Sequence, residues 1–368
     1  MTAFAVAKTC ATPAPAPTPG PSLEDAVVKR ANSCTFSGSN GYSSASISKT
    51  ACSTIVLSAL TVPGGKTLNL EGLRDDTTVI FQGNTTFGYS EWSGSLFSVS
   101  GNNITVRGDP GSALDGQGAL YWDGKGGSGG VTKPKFFKAN HLNDSLLDSI
   151  TIRNAPRNSF SLNYVNNLIV KDITVDDSTG DSLGKNTDAF NINNADGVLI
   201  TGAKVWNQDD CVAINSGKNI VFTNGFCSGG HGLSIGSIGG QDDNTVRNVT
   251  FSDTTMEKSQ QSVRIKTISG ANGTVDGITY RNIAMSGGDD YGIIVMQSYN
   301  GVDGEPTNGV SITNVVLQNV TGTVQSDAVD IYIKCGQGSC SDWTWTDVSV
   351  TGGKKSTACQ NVPKGISC

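Results

Sequence analysis

Histidine is nearly absent: the 368 residues include only His141 and His231. With so few imidazoles and no paired Cys/His spacing, the chain lacks the ligand pattern of a zinc centre. No metal and no other cofactor is expected. Charge is scarce too, at 16% Asp, Glu, Lys and Arg, with a net balance of −6. A surface without a general basic excess is a poor match for nucleic acid, so no such partner is expected. The acidic balance does not exclude an anionic ligand, because a local Arg/Lys pair suffices to bind one. No run of 18 apolar residues occurs, so no membrane-spanning helix is expected. Long amphipathic periods are missing as well. In their place stand glycine (46 residues), serine, threonine and asparagine among short β-branched runs. That composition belongs to an all-β protein with many turns.

Residues 1–30 read as a leader or propeptide. Ala11 to Pro21 is rich in Pro and Ala, which is linker composition. Met1 to Ala7 is too short for a signal-peptide core. Lys29-Arg30 reads either as two solvated charges or as a processing site. The change of composition beyond it favours processing, leaving one domain over residues 31–368. Nine cysteines minus Cys10 in the leader leave eight. They group locally as Cys34 with Cys52, Cys211 with Cys227, Cys335 with Cys340, and Cys359 with Cys368. The alternative is eight buried thiols. Six Asn-X-Ser/Thr sequons, at Asn84, Asn103, Asn143, Asn248, Asn272 and Asn319, favour secretion, disulfides and glycosylation.

A short strand recurs along the body of the chain. Asp188 to Ile192 matches Asp210 to Ile214 at an offset of 22 residues, and Gly232 to Ile235 follows after another 22. Ser262 to Ile265, Gly292 to Val295 and, upstream, Ser159 to Leu162 continue the series at 30-residue steps. Turns too short for crossover helices, repeated this way, predict a parallel β-solenoid. Short strands such as Val79–Phe81, Ile173–Val175 and Ile220–Phe222 fit its coils. Asn and Asp at 154, 176, 207, 224, 253, 282 and 319 fit its turns. A short helix and strand between Gly41 and Leu60 are expected to cap the open end.

Matching positions of successive coils are stacked neighbours about 4.8 Å apart. Asp188 is therefore expected beside Asp210, and Asp209 beside His231. The 22-residue step to His231 is not secure, since the phase of Leu233 and Ile235 fits 21 or 23 better. Arg264 and Lys266, two residues apart, share one side of the next strand. A single Asp in a turn is more often a turn former than a catalyst. Three carboxylates on one face are different, because like charges repel and raise one pKa. His141 has no such context and reads as a loop or core residue.

Four segments carry a further signal: Asn186-Thr187-Asp188, Gln208-Asp209-Asp210-Cys211, Gly230-His231-Gly232 and Arg264-Ile265-Lys266. With Leu114 to Gly118, Lys133 to Phe137 and Tyr299, they make the chain resemble the fungal polygalacturonases of glycoside hydrolase family 28. The likeness spans roughly residues 31–368. It implies a right-handed parallel β-helix that hydrolyses α-1,4 bonds of polygalacturonate with inversion. It implies Asp209 as general acid, Asp188 and Asp210 activating water, and His231 in support. Arg264, Lys266, Tyr299 and Asn186 are then the substrate-binding residues. Crowding of the carboxylates is expected to keep one of them protonated as the acid. A secreted monomer that cuts within the polymer is expected. An exo-acting enzyme, a β-helix pectate or pectin lyase, and a non-catalytic carbohydrate-binding solenoid are the alternatives. Stereochemistry is contested: carboxylates on adjacent strands are closer than the 6.5–9.5 Å usual for inverting enzymes.

Overall fold

Strands of three to seven residues cannot bury a hydrophobic face alone, and here they do so by winding. One coil runs through the strands Phe160–Asn163, Asn166–Lys171 and Thr174–Asp176. The next repeats it as Phe190–Asn193, Ala195–Thr201 and Lys204–Trp206. Each strand pairs in parallel with its counterpart: Phe160 with Phe190, Val170 with Ile200, Val175 with Val205. The computed structural model describes residues 32–368, and there the strands join one continuous sheet. This is the parallel β-helix that the repeat predicts. The expected leader, its Lys29-Arg30 pair and Cys10 lie outside the described residues.

Alternation puts every second side chain inside the coil. Identical inward positions then stack into ladders. Phe97, Phe137, Phe160 and Phe190 form one, with successive ring centroids 4.6, 4.9 and 5.3 Å apart. Ile200, Phe222, Phe251, Tyr280 and Leu317 occupy paired positions of another. In later coils the second and third strands merge into single long ones, Thr245–Glu257, Gly273–Gly288 and Val310–Val324. The helix Gly38–Ser48 covers the first coil and packs closely at Gly41, where a Cβ would lie 2.5 Å from Leu60 Cδ2. Disulfides join Cys34 to Cys52, Cys211 to Cys227, Cys335 to Cys340 and Cys359 to Cys368.

The corners are built from left-handed residues, with φ of +51° to +54° at Asn154, Asn224, Asp253, Asn282 and Asn319. Asn and Asp tolerate that region best among residues with a side chain. Their amides also bridge coils: Asn282 donates to Asp253 at 2.8 Å and Asn319 to Asn282 at 3.0 Å. Four of the sequon asparagines sit in such corner or edge ladders. Asn103 donates to Asp76, Asn143 to Asn102, Asn248 to Asn219, and Asn319 to Asn282. Asn84 and Asn272 are exposed. Asp176 ends the strand Thr174–Asp176, and Asn207 follows the strand Lys204–Trp206, where it is buried and has a further task. His141 is neither loop nor core. It lies exposed on the strand Lys135–Asn143 and stacks on Tyr164 at 5.2 Å.

Candidate active site

The turn that closes each coil and leads into the next first strand carries the acidic residues. Phe190 pairs with Val212, a step of 22, so Asp188 and Asp210 stand at the same position two residues earlier. Val212 pairs with Leu233, a step of 21. By register alone His231 therefore matches Asp210. The turn nevertheless folds it onto Asp209: its backbone N–H donates to the Asp209 carbonyl at 2.9 Å, and its Nδ1 lies 3.0 Å from Asp209 Oδ1. Arg264 and Lys266 come from the strand Gln261–Ile268, two pairings beyond Val212. They point outward from the coil, where a strand otherwise carries small polar groups such as Ser234, paired with Arg264.

A cleft of about 1110 Å³ is lined by all eight expected site residues: Asn186, Asp188, Asp209, Asp210, His231, Arg264, Lys266 and Tyr299. Asp210 is the carboxylate that both cations bind. Lys266 Nζ lies 3.0 Å from Oδ2 and Arg264 Nη1 3.3 Å from Oδ1, while the Ser234 hydroxyl donates to Oδ1. Both cations are buried and face the ring of Tyr299, at 5.3 Å for Lys266 and 6.0 Å for Arg264. Asp209 accepts from the Asp210 backbone N–H at 2.7 Å and from Asn186 Nδ2 at 3.1 Å. Asp188 is buried and accepts one side-chain bond, from Asn191 Nδ2 at 3.1 Å.

These partners separate the charges. Burial, then the charges of Asp209 and Asp210, push Asp188 up to about 7, against the pull of Asn191 and Lys266. Burial also opposes ionisation of Asp209. The hydrogen bond and charge of His231, then Lys266 and the Asp210 N–H, overcome it and hold Asp209 below the usual carboxylate range. Burial lowers His231, but the Asp209 bond and charge outweigh it and raise the imidazole above its ordinary value. Burial, with crowding added to it, thus raises one carboxylate, and that carboxylate is Asp188 rather than Asp209. Beside Asp209 it is His231 whose hold on a proton is strengthened.

Two residues that hold this geometry were read in the sequence without this role, Asn207 as a turn residue and Gln208 as part of a motif. Asn207 Nδ2 donates to three carbonyls, of Thr187, Asp209 and Asp210, at 2.9, 2.9 and 3.1 Å. Gln208 receives the Thr187 hydroxyl at 3.0 Å and donates to the Asp177 carbonyl at 2.6 Å. These bonds tie the Asn186–Asp188 turn to the Asp209–Asp210 turn. A loop over the cleft also went unread. Lys133 and Asp123 clamp its base at 2.8 Å, and the Gly127 N–H donates to Asn186 Oδ1 at 2.8 Å.

A parallel β-helix with an open, charged cleft along its coils defines a protein that handles an extended polar polymer, and its carboxylates equip it for acid–base chemistry. Comparison with known proteins makes this specific. Residues 52–368 match the family model "Glycosyl hydrolases family 28", and the chain belongs to that family of glycoside hydrolases. It is 55% identical over 367 residues to endopolygalacturonase I of Aspergillus aculeatus, covering 100% of this chain and 97% of that one. It is 56% identical over 355 residues to the probable endopolygalacturonase E of Aspergillus niger, covering 96% and 94%. Among solved structures, endopolygalacturonase I from Stereum purpureum, complexed with two galacturonates, superposes with a TM-score of 0.78. That pair is 36% identical, over 88% of this chain and 95% of the other.

Proposed function

We propose that this chain hydrolyses α-1,4 bonds between galacturonate units of polygalacturonate, cutting within the polymer and inverting the anomeric carbon. One observation carries the reading: Arg264, Lys266 and the Tyr299 ring stand directly beside three carboxylates in a single open cleft. A uronate placed there meets two cations through its carboxylate and a ring face through its sugar. Arg264 Nε is buried without a partner among the described residues, which leaves a donor for that carboxylate.

In this reading Asp209 protonates the leaving oxygen, and Asp188 with Asp210 activates water. The proton on His231 Nδ1, 3.0 Å from Asp209 Oδ1, is the reserve for that acid. Lys266 is among the groups that keep Asp209 ionised. A substrate carboxylate bound to Lys266 cancels that influence and displaces water, and both changes favour moving the proton onto Asp209. The same substrate charge presses Asp188 and Asp210 to share the remaining negative charge around one water.

Single-domain catalysis by residues 31–368 after processing at Lys29-Arg30, secretion as a monomer, and glycosylation among the six sequons belong to the same proposal. Four disulfides and the sequons support it.

The test is early-time proton NMR of polygalacturonate digestion, with viscosity followed in parallel. The expected first product is the β-anomer, with viscosity falling well before reducing ends accumulate. Asp209→Asn lowers turnover by a factor on the order of 10² or more. Unsaturated product ends would instead mean a lyase, and near-native turnover of Asp209→Asn would remove it from the mechanism.

A further inference from the structure

A glycine-rich loop, residues 123–131, stands over the catalytic turns, and one side chain fixes its neck. Asp123 pairs with the buried Lys133 at 2.8 Å and accepts the backbone N–H groups of Lys125 and Val131 at 3.0 and 3.1 Å. The tip reads Gly124-Lys125-Gly126-Gly127-Ser128-Gly129-Gly130 and carries no apolar side chain. Among the described residues it makes two hydrogen bonds beyond the loop: Gly124 N–H to the Leu183 carbonyl at 2.9 Å, and Gly127 N–H to Asn186 Oδ1 at 2.8 Å. The second contact is a fitted seat. A Cβ on Gly126, at φ +58°, would stand 2.3 Å from Asn186 Oδ1, and one on Gly127 would stand 2.6 Å from Arg157 Cζ. A tip that buries so little apolar surface opens at low cost.

Asn186 links that seat to Asp209. Its Nδ2 donates to Asp209 Oδ2 at 3.1 Å. The amide is held this way round because a backbone N–H only donates and an ionised carboxylate only accepts. Asp209 Oδ1 already takes two donors, the Asp210 N–H at 2.7 Å and His231 Nδ1 at 3.0 Å. Among the described residues Oδ2 takes only Asn186, so Oδ2 is the oxygen left to face a leaving group. A donor held against it favours the ionised form, and a general acid needs the other one. The charged groups around Asp209 are His231, Lys266, Asp188 and Asp210, and Lys125 and Lys185 line the same cleft. Of the groups bonded to Asp209, Asn186 is the one that the loop in turn holds.

We propose that this loop is a latch on the general acid: seated, Gly127 holds the Asn186 amide against Asp209 Oδ2, and lifting of the loop as the polymer enters frees that oxygen to carry the proton. Gly126 and Gly127 are then positioning residues that act through Asn186. This rests on the polygalacturonate reading above, which makes Asp209 the acid. Once Gly127 lets go, the amide is free to turn and present Oδ1, which accepts from a protonated carboxyl. The proton then passes from Oδ2 to the leaving oxygen, which keeps the electron pair of its broken bond to the anomeric carbon. Water gives its hydroxyl to that carbon and its other proton to the Asp188 and Asp210 pair. Asp209 is left ionised, the state in which the latch re-forms.

Two variants unlatch the loop by different means, so either one decides if the other fails to fold. Gly127→Pro removes the donor, and Gly126→Ala leaves no room for the seat. Both are compared with wild type on polygalacturonate, with Tm recorded. A loop that no longer has to be lifted stops opposing binding, so KM should fall about fivefold, the worth of one hydrogen bond, and kcat should not fall. A loop that only shapes the cleft would give an unchanged or higher KM, or a lower kcat, and each of these at wild-type Tm overturns the latch. The second readout is proton NMR of the two histidine rings, with the exposed His141 as reference. Without the Asn186 donor, Asp209 draws harder on the His231 Nδ1 proton, whose resonance should move downfield. A resonance that stays in place overturns the latch. If the wild type does not hydrolyse polygalacturonate, the catalytic reading fails by itself. The His231 resonance then decides whether the loop acts on Asp209: a downfield move in the variants supports it, and an unmoved signal overturns it.

Discussion

Asp188 and Asp210 occupy the same position in neighbouring coils, yet their surroundings are opposite. Asp210 has Lys266, Arg264 and Ser234 on its two oxygens. Asp188 is buried as well, but among the described residues one amide is its only side-chain hydrogen-bond partner, and two carboxylates crowd it. The repeat supplied identical slots, and the strand Gln261–Ile268 reaches only the second of them with its cations. The partners of each carboxylate at this site are therefore decided by distance from one strand rather than by residue type.

The largest effect expected from breaking this asymmetry is at Asp210. Asp210→Asn keeps the shape but strands two buried cations, which costs about 3–5 kcal/mol. Urea unfolding at neutral pH measures it. A loss below ~1 kcal/mol would mean that Tyr299 and water satisfy Lys266 and Arg264 without the carboxylate.

The matching change at Asp188 should do the reverse. Its folded pKa, about 7, lies above its ordinary 3.8. Above pH 3.8 the unfolded chain ionises this group while the folded protein does not, so the native state loses stability as pH rises toward 7 and no further beyond it. Each unit of that gap is worth ~1.4 kcal/mol, so Asp188→Asn gains up to ~4 kcal/mol at pH 7.5 and close to nothing at pH 4. Thermal unfolding of both proteins across that range gives the curve. A gap in Tm that does not vary with pH would show that Asp188 is not protonated in the fold. Asp209, with its depressed pKa, works the other way: it stabilises above its unfolded pKa, and that contribution fades as pH falls through the folded one.

The smallest expected effect sharpens the contrast. Ser234→Ala removes one of three bonds to Asp210 and should cost about 1–3 kcal/mol, again by urea unfolding. No measurable loss would mean that Lys266 and Arg264 hold the Asp210 carboxylate without the hydroxyl.

The site was legible because the repeat made it so. Asp188 and Asp210 share a motif, and a stacked fold converts a shared motif into contact. His231 was harder, since its coil is one residue shorter than the motif match implies. Only the bend of the turn returns it to Asp209. Asn207 reads as a turn former because its type is common at corners; that its amide is buried and serves three carbonyls is invisible without the fold. The same holds for His141, whose ring stacks on an exposed tyrosine rather than entering a core.

By itself the sequence determined the coil. Short β-branched runs at steps of 22 and 30 residues, broken by Asn and Gly, have one economical way to bury their apolar side, and stacking follows. It also determined which chemical groups would meet, because residues at equal phase in such a stack cannot be far apart. Only the tertiary structure decided which of those groups carries a proton. That depends on whether a buried carboxylate lies within about 3 Å of a cation or one rung beyond it, and on which oxygen a turn presents to His231. Such differences of a few ångströms arise from the bends between strands, where the periodic pattern that fixes the coil has nothing to say.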